Sequence, residues 1–580
     1  MYCKPARFAL PGLFIALTAF TGGCGKKAAG PAPRYAVVRF ENLTGDVALE
    51  WTARAASDLL SQSLARALDG PLLARPAVSR LGLSLGARPS AVPGISTELA
   101  AAQAAGATHV ITGYIEKTAA GLRISGAERD LASGTTVRSV VAMAPDPLNA
   151  MDRLAKAFSD KAAPSGIRNE QALRLYFTSR ETDTQSAVSA LEQAVTAEPD
   201  FGDAWVALAE GQRALGDNAA AAKTIATARL RKLDDLNLAY LDFLSDALNG
   251  DQGPGRLEAM KRISELSPGD TVLLRSLAQG ETAEGRFEAA AASWKKLTEV
   301  LPDDADARNQ LGYTLAWNGN YQGAVEAMKT YGLLRPAEPN PLDSLGDIHF
   351  MYRKFPEAAA AYLQASAKAP AFQGGGDLYK AAWAKFRAGD KPGADALFEQ
   401  FRKAREKGGG FALLAADWLC RTGRRKEAAA ELRAALDAAN PAEKPAIYDE
   451  LAIFDLLSGD RIAAAKDAAA AGPPTTPGSF IVRFCTLPSA SAAEWVTRAD
   501  RTLPDPKAAP VRALAVGYAL LLDGKRQEAV PVWKELSEKS QGNDFSIREI
   551  YPRLRGEQPK ITQPPDPASV NPFAPVLDPS

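Results

Sequence analysis

The sequence predicts a small N-terminal α/β domain followed by an all-α superhelical solenoid built from helical hairpins. Three observations support this fold class. The chain has 580 residues, which is too long for a single compact core. Residues 34–163 alternate between strand-like and helix-like patterns, whereas beyond residue 168 small turn residues and prolines recur with a period near 34 residues. Abundant alanine suits helices that pack closely against one another.

The composition excludes several classes of function. Lys+Arg and Asp+Glu both number 68, so no net charge attracts nucleic acid or an anionic surface. Only two histidines occur, His109 and His349, and histidine is the usual carrier of acid–base and metal chemistry. Phosphate-loop, C-x-x-C and H-E-x-x-H motifs are absent from the sequence. We therefore expect a protein that is not an enzyme and that uses no cofactor or metal.

Residues 1–24 have the parts of a secretory signal peptide. Lys4 and Arg7 precede an apolar run over residues 8–20. The run is too short to span a bilayer comfortably, so a permanent transmembrane helix is not expected.

The signal ends in Thr21-Gly22-Gly23-Cys24, which resembles a bacterial lipobox, although Thr21 stands where family members usually have leucine. The resemblance implies lipidation of Cys24, and Gly25 implies sorting to the outer membrane, facing the periplasm. Residues 25–33 then read as a flexible tether. The alternative is an ordinary secretory signal that is cleaved without lipidation.

Residues 34–163 predict the element order βαβαβββα, which indicates a small α/β sandwich. The predicted strands cover residues 35–40, 72–75, 108–116, 122–130 and 135–144, and the predicted helices cover residues 49–68, 97–105 and 147–161.

Two stretches of this domain, YAVVRFENLTGD and GATHVITGYIEKTAAGLRISGAERDLASGTT, resemble the TolB N-terminal-like domain. That domain is similar to parts of the FlgO and CsgG envelope lipoproteins. Arg39 stands where the family has proline. The resemblance implies an interaction or sensing module and carries over no catalytic residue.

Residues 168–543 are predicted to form about ten repeats that resemble tetratricopeptide (TPR) hairpins, with a degenerate stretch near residues 473–508. We expect that stretch to be a hinge, a binding insert or a worn repeat. The marks of the repeat are prolines that end hairpins and glycines in the turns: Pro199, Pro268, Pro302, Pro336, Pro370, Gly285, Gly319, Gly389, Gly423, Gly459 and Gly524. Small residues are needed where the two helices of a hairpin cross closely.

Two further features complete the chain. Cys420 and Cys485 lie about two repeats apart, beyond the span of a disulfide, and are expected to be buried free thiols. The tail, residues 551–580, is rich in proline and is expected to be disordered or extended.

The expected binding surface is the concave face of the solenoid, which the first helix of each hairpin lines. The repeat register places six polar or aromatic residues there: Arg275, Gln279, Asn309, Tyr313, Asp343 and Asp347. Such a groove suits an extended peptide or a partner helix. The alternative is an inner face that is merely solvated.

These observations predict a membrane-anchored scaffold of the bacterial cell envelope that binds other proteins or peptides through its TPR helices and binds no nucleic acid. A second hypothesis is a sensing or assembly component that acts through the α/β domain. A remote third is a serine hydrolase, because Gly82-Leu83-Ser84-Leu85-Gly86 matches G-x-S-x-G.

Overall fold

The computed structural model describes residues 32–73, 95–250, 254–405, 411–539 and 545–560. The predicted signal peptide with Cys24, most of the tether, the Ser84 motif and residues 561–580 lie outside these ranges. The N-terminal region contains five strands and three helices: β1 Tyr35–Val37, β2 Glu41–Asn42, α1 Glu50–Leu64, α2 Ile95–Ala104, β3 His109–Thr118, β4 Gly121–Asp130, β5 Thr136–Ala144 and α3 Pro147–Phe158.

The five strands form one sheet in the order β1-β3-β4-β5, with β2 also paired to β3. β1 and β2 run parallel to β3, whereas β3, β4 and β5 form an antiparallel meander. Gly121 has φ +115° at the β3–β4 turn, and a Cβ there would lie 2.3 Å from the carbonyl oxygen of Ala144. Of the predicted second strand, Leu72 forms a parallel bridge with Tyr35, and residues 74 and 75 lie outside the described ranges.

The fold class is confirmed, since the sheet region is followed by helices alone. The helices of the array are α4 Glu170–Ser179, α5 Thr184–Ala197, α6 Gly202–Ala214, α7 Asn218–Ala228, α8 Asp235–Leu248, α9 Pro254–Leu266, α10 Thr271–Ala283, α11 Phe287–Val300, α12 Ala305–Trp317, α13 Tyr321–Leu334, α14 Asn340–Met351, α15 Phe355–Lys368, α16 Gly376–Arg387, α17 Lys391–Arg405, α18 Phe411–Arg421, α19 Arg425–Ala438, α20 Lys444–Leu457, α21 Arg461–Ala470, α22 Pro477–Cys485, α23 Ala492–Thr502, α24 Ala509–Leu522, α25 Arg526–Lys539 and α26 Phe545–Leu554.

Consecutive helices pack in pairs, and the sequence shows why the pairs close tightly. Gly312 on α12 and Gly346 on α14 leave room for large side chains of the second helix. A Cβ on Gly346 would lie 2.5 Å from the ring of Tyr362 on α15, and a Cβ on Gly312 would lie 2.7 Å from Met328 on α13. The glycine of the repeat is therefore required by close approach of the two helices.

Two late parts of the chain can be compared with the sequence predictions. The degenerate stretch forms helices α22 and α23, both packed against α24, and Trp495 on α23 is fully buried. This packing favours a worn repeat over a hinge or an insert. The tail prediction is wrong at its start, because α26 continues to Leu554 and packs on α25. Cys420 and Cys485 are free and buried, as predicted.

The α/β region and the array share one interior. Leu73, Ala102 and Val110 of the α/β region lie in one apolar cluster with Leu274 and Trp294 of the array. A further cluster joins the sheet and α1 to the helices from α4 to α10. The N-terminal region is therefore docked along the first part of the array rather than held apart from it.

Polar contacts and close backbone approaches fix this docking. Arg180 Nη1 donates to Asp58 Oδ2 at 2.7 Å, and Arg34 Nη2 donates to Asp303 Oδ2 at 3.0 Å. At Gly269 a Cβ would lie 1.7 Å from the carbonyl oxygen of Leu72, so the two backbones nearly touch. Within the described ranges, no helix combines the length and apolar character needed to cross a membrane.

Candidate binding face of the helical array

The candidate site lies on α10, α12, α14 and α16, the first helices of four successive hairpins; we call it the first-helix face. The 34-residue repeat aligns the six predicted residues in two rows. One row contains Arg275, Asn309 and Asp343, and the other contains Gln279, Tyr313 and Asp347.

The part of this face on α10 and α12 has moderate exposure. Arg275 forms an ion pair with Asp304 and lies 5.9 Å from the ring centroid of Trp294. Gln279 is exposed to solvent, and Asn309 is half-buried. The Oδ1 atom of Asn309 is buried and has no hydrogen-bond partner among the described residues. This region therefore offers a partner the exposed side-chain amide of Gln279 and the Oδ1 acceptor of Asn309.

Asp347 is the centre of a buried hydrogen-bond network on α14. Tyr313 Oη donates to Asp347 Oδ2 at 2.8 Å, and Tyr362 Oη donates to Asp347 Oδ1 at 2.8 Å. Two hydroxyls from neighbouring hairpins therefore hold one carboxylate in place. Register places Tyr313 and Asp347 one repeat apart, which is why their side chains meet.

Lys380 on α16 completes this network with charge. Its Nζ lies 2.7 Å from Asp343 Oδ1 and 3.0 Å from Asp347 Oδ1. The side chains of Lys380, Asp343 and Asp347 are 10%, 4% and 13% exposed. Lys380 Nζ also lies 5.5 Å from the ring centroid of Tyr362. The network is thus an ion cluster in the array interior.

Asp377, one turn before Lys380 on the same helix, is 1% exposed. No N–H or O–H group of another described residue donates to its carboxyl oxygens, and it meets the carboxyl of Asp343. Burial raises the pKa of Asp377 to about 8, and the neighbouring carboxylate of Asp343 contributes to the increase. We call Asp343, Asp347, Asp377 and Lys380 the acidic cluster.

The other pKa shifts follow from the same burial. Burial raises the pKa of Asp347 although Lys380 opposes the increase. Burial, with the charge of Asp347 next, raises the pKa values of Tyr313 and Tyr362 well above their ordinary value, so both remain hydroxyl donors. For Lys380, burial alone would lower the pKa, but the carboxylates of Asp347 and Asp343 outweigh it and raise the pKa. The ammonium therefore stays charged.

Buried carboxyl groups continue along the next first helices. Asp417 Oδ1 on α18 accepts from Arg421 Nε at 2.7 Å, and Asp449 Oδ1 on α20 accepts from Arg483 Nη1 at 2.9 Å. Glu450 is 1% exposed and its Oε1 has no partner among the described residues. Burial raises the pKa of Glu450 well above its ordinary value.

The structure thus brings together only part of the predicted set. Tyr313, Asp343 and Asp347 lie in one network, whereas Arg275 pairs with Asp304 outside it. Asp343 and Asp347 are not free charges on an open groove, because both pair with Lys380 and are largely buried. Their role in binding a partner stays a prediction.

Sequence reasoning missed Asp377, Lys380 and Tyr362. One signal was available: the turn residues Gly319 and Gly389 lie 70 residues apart, two more than two repeats of 34. The additional residues lie before α16, which begins 36 residues after the start of α14. The chemistry of the residues does not suit a metal, and no metal-binding group of His, Cys, Asp and Glu occurs in the described ranges.

Two stretches of the helical array match a known repeat family. Residues 180–234 and 276–335 match the tetratricopeptide repeat family model. The second stretch contains Gln279, Asn309 and Tyr313. These stretches are therefore TPR repeats, a fold that generally serves as a non-catalytic protein-binding scaffold. No curated protein matches the sequence.

Solved TPR structures resemble parts of the chain. A crystal structure of MamA protein is 20% identical with a TM-score of 0.26, covering 30% of this chain and 93% of that one. The C-terminal part of a TPR repeat-containing protein from Cytophaga hutchinsonii is 14% identical with a TM-score of 0.30, covering 41% and 96%. A thermophilic TPR protein from Thermus thermophilus is 21% identical with a TM-score of 0.17, covering 37% and 95%.

Proposed function

We propose that this chain is a non-enzymatic scaffold of the bacterial cell envelope that binds other proteins through the first-helix face. The observation that carries the proposal is that face itself: exposed Gln279 and half-buried Asn309 and Tyr313 lie on TPR helices, beside buried acceptors without donors. TPR repeats bind extended peptides or helices on such faces.

The anchor belongs to the same proposal. Thr21-Gly22-Gly23-Cys24 supports a lipid on Cys24, which would hold the chain at the membrane, with Gly25 favouring the outer membrane. The docked α/β region begins ten residues after Cys24, so a lipidated chain would hold the start of the array close to the membrane surface.

The test uses the full chain in its own cells, with a photo-crosslinking amino acid at one position at a time. Position 279 lies on the first-helix face, and position 333, where Leu333 is 81% exposed on α13, serves as the matched control. We expect a defined protein crosslinked from position 279 and not from position 333. Equal or absent crosslinking at both positions would contradict binding through this face.

The anchor is tested separately. Cys24→Ser should release the protein from the membrane fraction and abolish incorporation of a labelled fatty acid. Retention of the label in the variant would contradict lipidation at Cys24, without affecting the crosslinking result.

One observation favours the second hypothesis, assembly through the α/β region. β5 is the edge strand, and its outer face exposes Val137, Val141 and Met143 at 55%, 50% and 41%. An exposed apolar edge strand is a template for pairing with another chain. Val141→Lys should then reduce a defined oligomer of the full chain to a monomer, measured by light scattering; a wild-type monomer would exclude this hypothesis.

The hydrolase hypothesis rests only on the sequence around Ser84, outside the described residues. A Ser84→Ala variant whose behaviour is unchanged would dispose of this hypothesis.

A further inference from the structure

We propose that the acidic cluster is a binding site for a guanidinium group, so that the partner of the first-helix face presents an arginine side chain. This inference rests on the proposed function and names the chemistry of the partner. Four observations lead to it. Among the described residues, no N–H group donates to the buried carboxyl of Asp377, and the cluster holds more carboxyl groups than cations. Lys380 occupies the place of a metal ion, and the left-handed residue Gln373 covers the cluster.

The key group is the buried carboxyl of Asp377. Its side chain is 1% exposed, no N–H or O–H group of another described residue donates to its oxygens, and it meets the carboxyl of Asp343, with which it can share a proton. Native proteins pair the great majority of buried polar atoms, so two carboxyl groups that face each other can accept a donor that arrives from outside. The charges of Asp343, Lys380 and Asp347 act on Asp377, so it belongs to the cluster.

The cluster has a shortage of donors and of positive charge. Three carboxyl groups, those of Asp343, Asp347 and Asp377, surround the single ammonium of Lys380. The two tyrosine hydroxyls that reach it, from Tyr313 and Tyr362, are already used on Asp347. A complementary ligand must therefore supply both a positive charge and several N–H groups.

Arginine matches this requirement better than a metal or a lysine. Lys380 Nζ lies 2.7 Å and 3.0 Å from two of the carboxylates, in the position that a bound metal ion would need. A guanidinium carries five N–H donors in a planar fork that bonds carboxylates in pairs. It also stacks on aromatic faces, and the half-buried ring of Tyr313 borders the cluster.

The route of entry is the segment before α16. Exposed Gln373 covers the cluster with a long contact, Nε2 to Asp343 Oδ2 at 3.4 Å. Gln373, Gly374 and Gly375 have φ values of 48°, 64° and 81°, three successive left-handed residues. Left-handed conformation is unfavourable for a residue with a side chain, so displacing Gln373 gives up one long contact and relieves strain.

The experiment selects a ligand without assuming one. A phage library of random ten-residue peptides is panned on the full chain, and the enriched peptide is synthesised in two forms, with arginine and with neutral citrulline. We expect enriched peptides to share an arginine, and we expect citrulline to weaken binding at least tenfold. Enrichment of peptides without arginine, or equal binding of both forms, would overturn the proposal.

Asp377→Asn locates the site. Asparagine keeps the shape but removes the charge, so we expect about tenfold weaker binding of the arginine peptide and no change for citrulline. Asp235→Asn is the matched control, since the Asp235 side chain is 75% exposed on α8. Thermal melting confirms that both variants are folded. Unchanged binding by folded Asp377→Asn would overturn the proposal.

Proton linkage gives a second, independent measurement. Asp377 holds a proton at neutral pH because burial, with Asp343 next to it, raises its pKa to about 8. The charges of Asp343 and Asp347 on α14 and of Lys380 on its own helix act on Asp377, while Tyr313 and Tyr362 donate to Asp347. A bound guanidinium favours the ionised carboxylate, so binding should release a proton and tighten up to tenfold per pH unit between pH 6 and 8. Affinity that does not change with pH would contradict the assignment to Asp377.

Failure of this inference and failure of the proposed function are distinguishable. If no peptide is enriched but crosslinking from position 279 still captures a defined protein, the face binds proteins by other chemistry. If crosslinking also fails, the proposed function itself is wrong.

Discussion

The pair of hairpins α10–α13 and the pair α14–α17 have the same architecture but different interiors. In the first pair the turn glycines Gly285 and Gly319 are 34 residues apart, and the interior is apolar around Trp294 and Met328. In the second pair the spacing is longer by two residues, and the interior contains the acidic cluster. The difference shows that hairpins of the same architecture can close around large apolar side chains or around a buried ion cluster.

The largest expected effect is at the centre of the second pair. Lys380→Met leaves the carboxylates of Asp343 and Asp347 buried without a cation, which should lower the free energy of unfolding by about 3–5 kcal/mol. Lys385→Met on the same helix is the control, because its pair with Asp390 is partly exposed and worth about 1 kcal/mol or less. Urea denaturation measures both, and equal losses would show that the cluster is not a buried ion network.

The next prediction concerns the docking of the α/β region on the array. Gly269→Ala places a methyl 1.7 Å from the Leu72 carbonyl oxygen, so the backbones must separate at a cost of about 2–3 kcal/mol. Gly332→Ala on α13 is the control, because its nearest neighbour is Pro341 at 3.7 Å, and alanine in a helix should stabilise by about 0.5–1 kcal/mol. Thermal unfolding that is unchanged by Gly269→Ala would mean that the two regions are not packed as described.

The sequence predicted the architecture well because its signals are local. Turn glycines, hairpin prolines and strand alternation identified the helical array and all three long strands of the meander to within two residues. It could not show that the α/β region is docked, because the contact between Leu72 and Gly269 joins residues far apart along the chain. It placed Tyr313 and Asp347 together by register but missed Lys380, because α16 begins two residues later than the 34-residue repeat predicts.

The pH dependence of stability separates the two pairs further. The pKa of Asp377 is raised to about 8 in the folded state, mainly by burial, above its value in the unfolded chain. The folded state therefore binds the proton more strongly than the unfolded chain does. The contribution of this protonation to the free energy of unfolding is complete below about pH 4 and is lost as the pH rises towards 8. The loss is at most about 1.4 kcal/mol per pH unit. Asp377→Asn should remove this slope from denaturation curves measured between pH 5 and 8. A slope identical to that of the wild type would show that Asp377 does not titrate there.

The smallest expected effect on stability concerns Arg353 and Gly319, which occupy equivalent turn positions in successive hairpins. Arg353 has φ 59° at the position where the preceding repeat has Gly319, with φ 86°. Arg353→Gly should stabilise by up to about 1 kcal/mol, and Gly319→Ala should destabilise by a similar amount, since both changes act on a left-handed residue. Differential scanning calorimetry gives the two signs. Destabilisation by Arg353→Gly would mean that its contacts with Gln558 and Phe355 outweigh the strain.

The most direct test of the account is to measure stability and binding together on Asp377→Asn at pH 8. If the acidic cluster serves binding and lowers the stability of the fold, the variant should be more stable than the wild type. It should also bind the selected arginine peptide about tenfold more weakly. A variant that loses stability and keeps its affinity would show that the buried charge serves the fold alone.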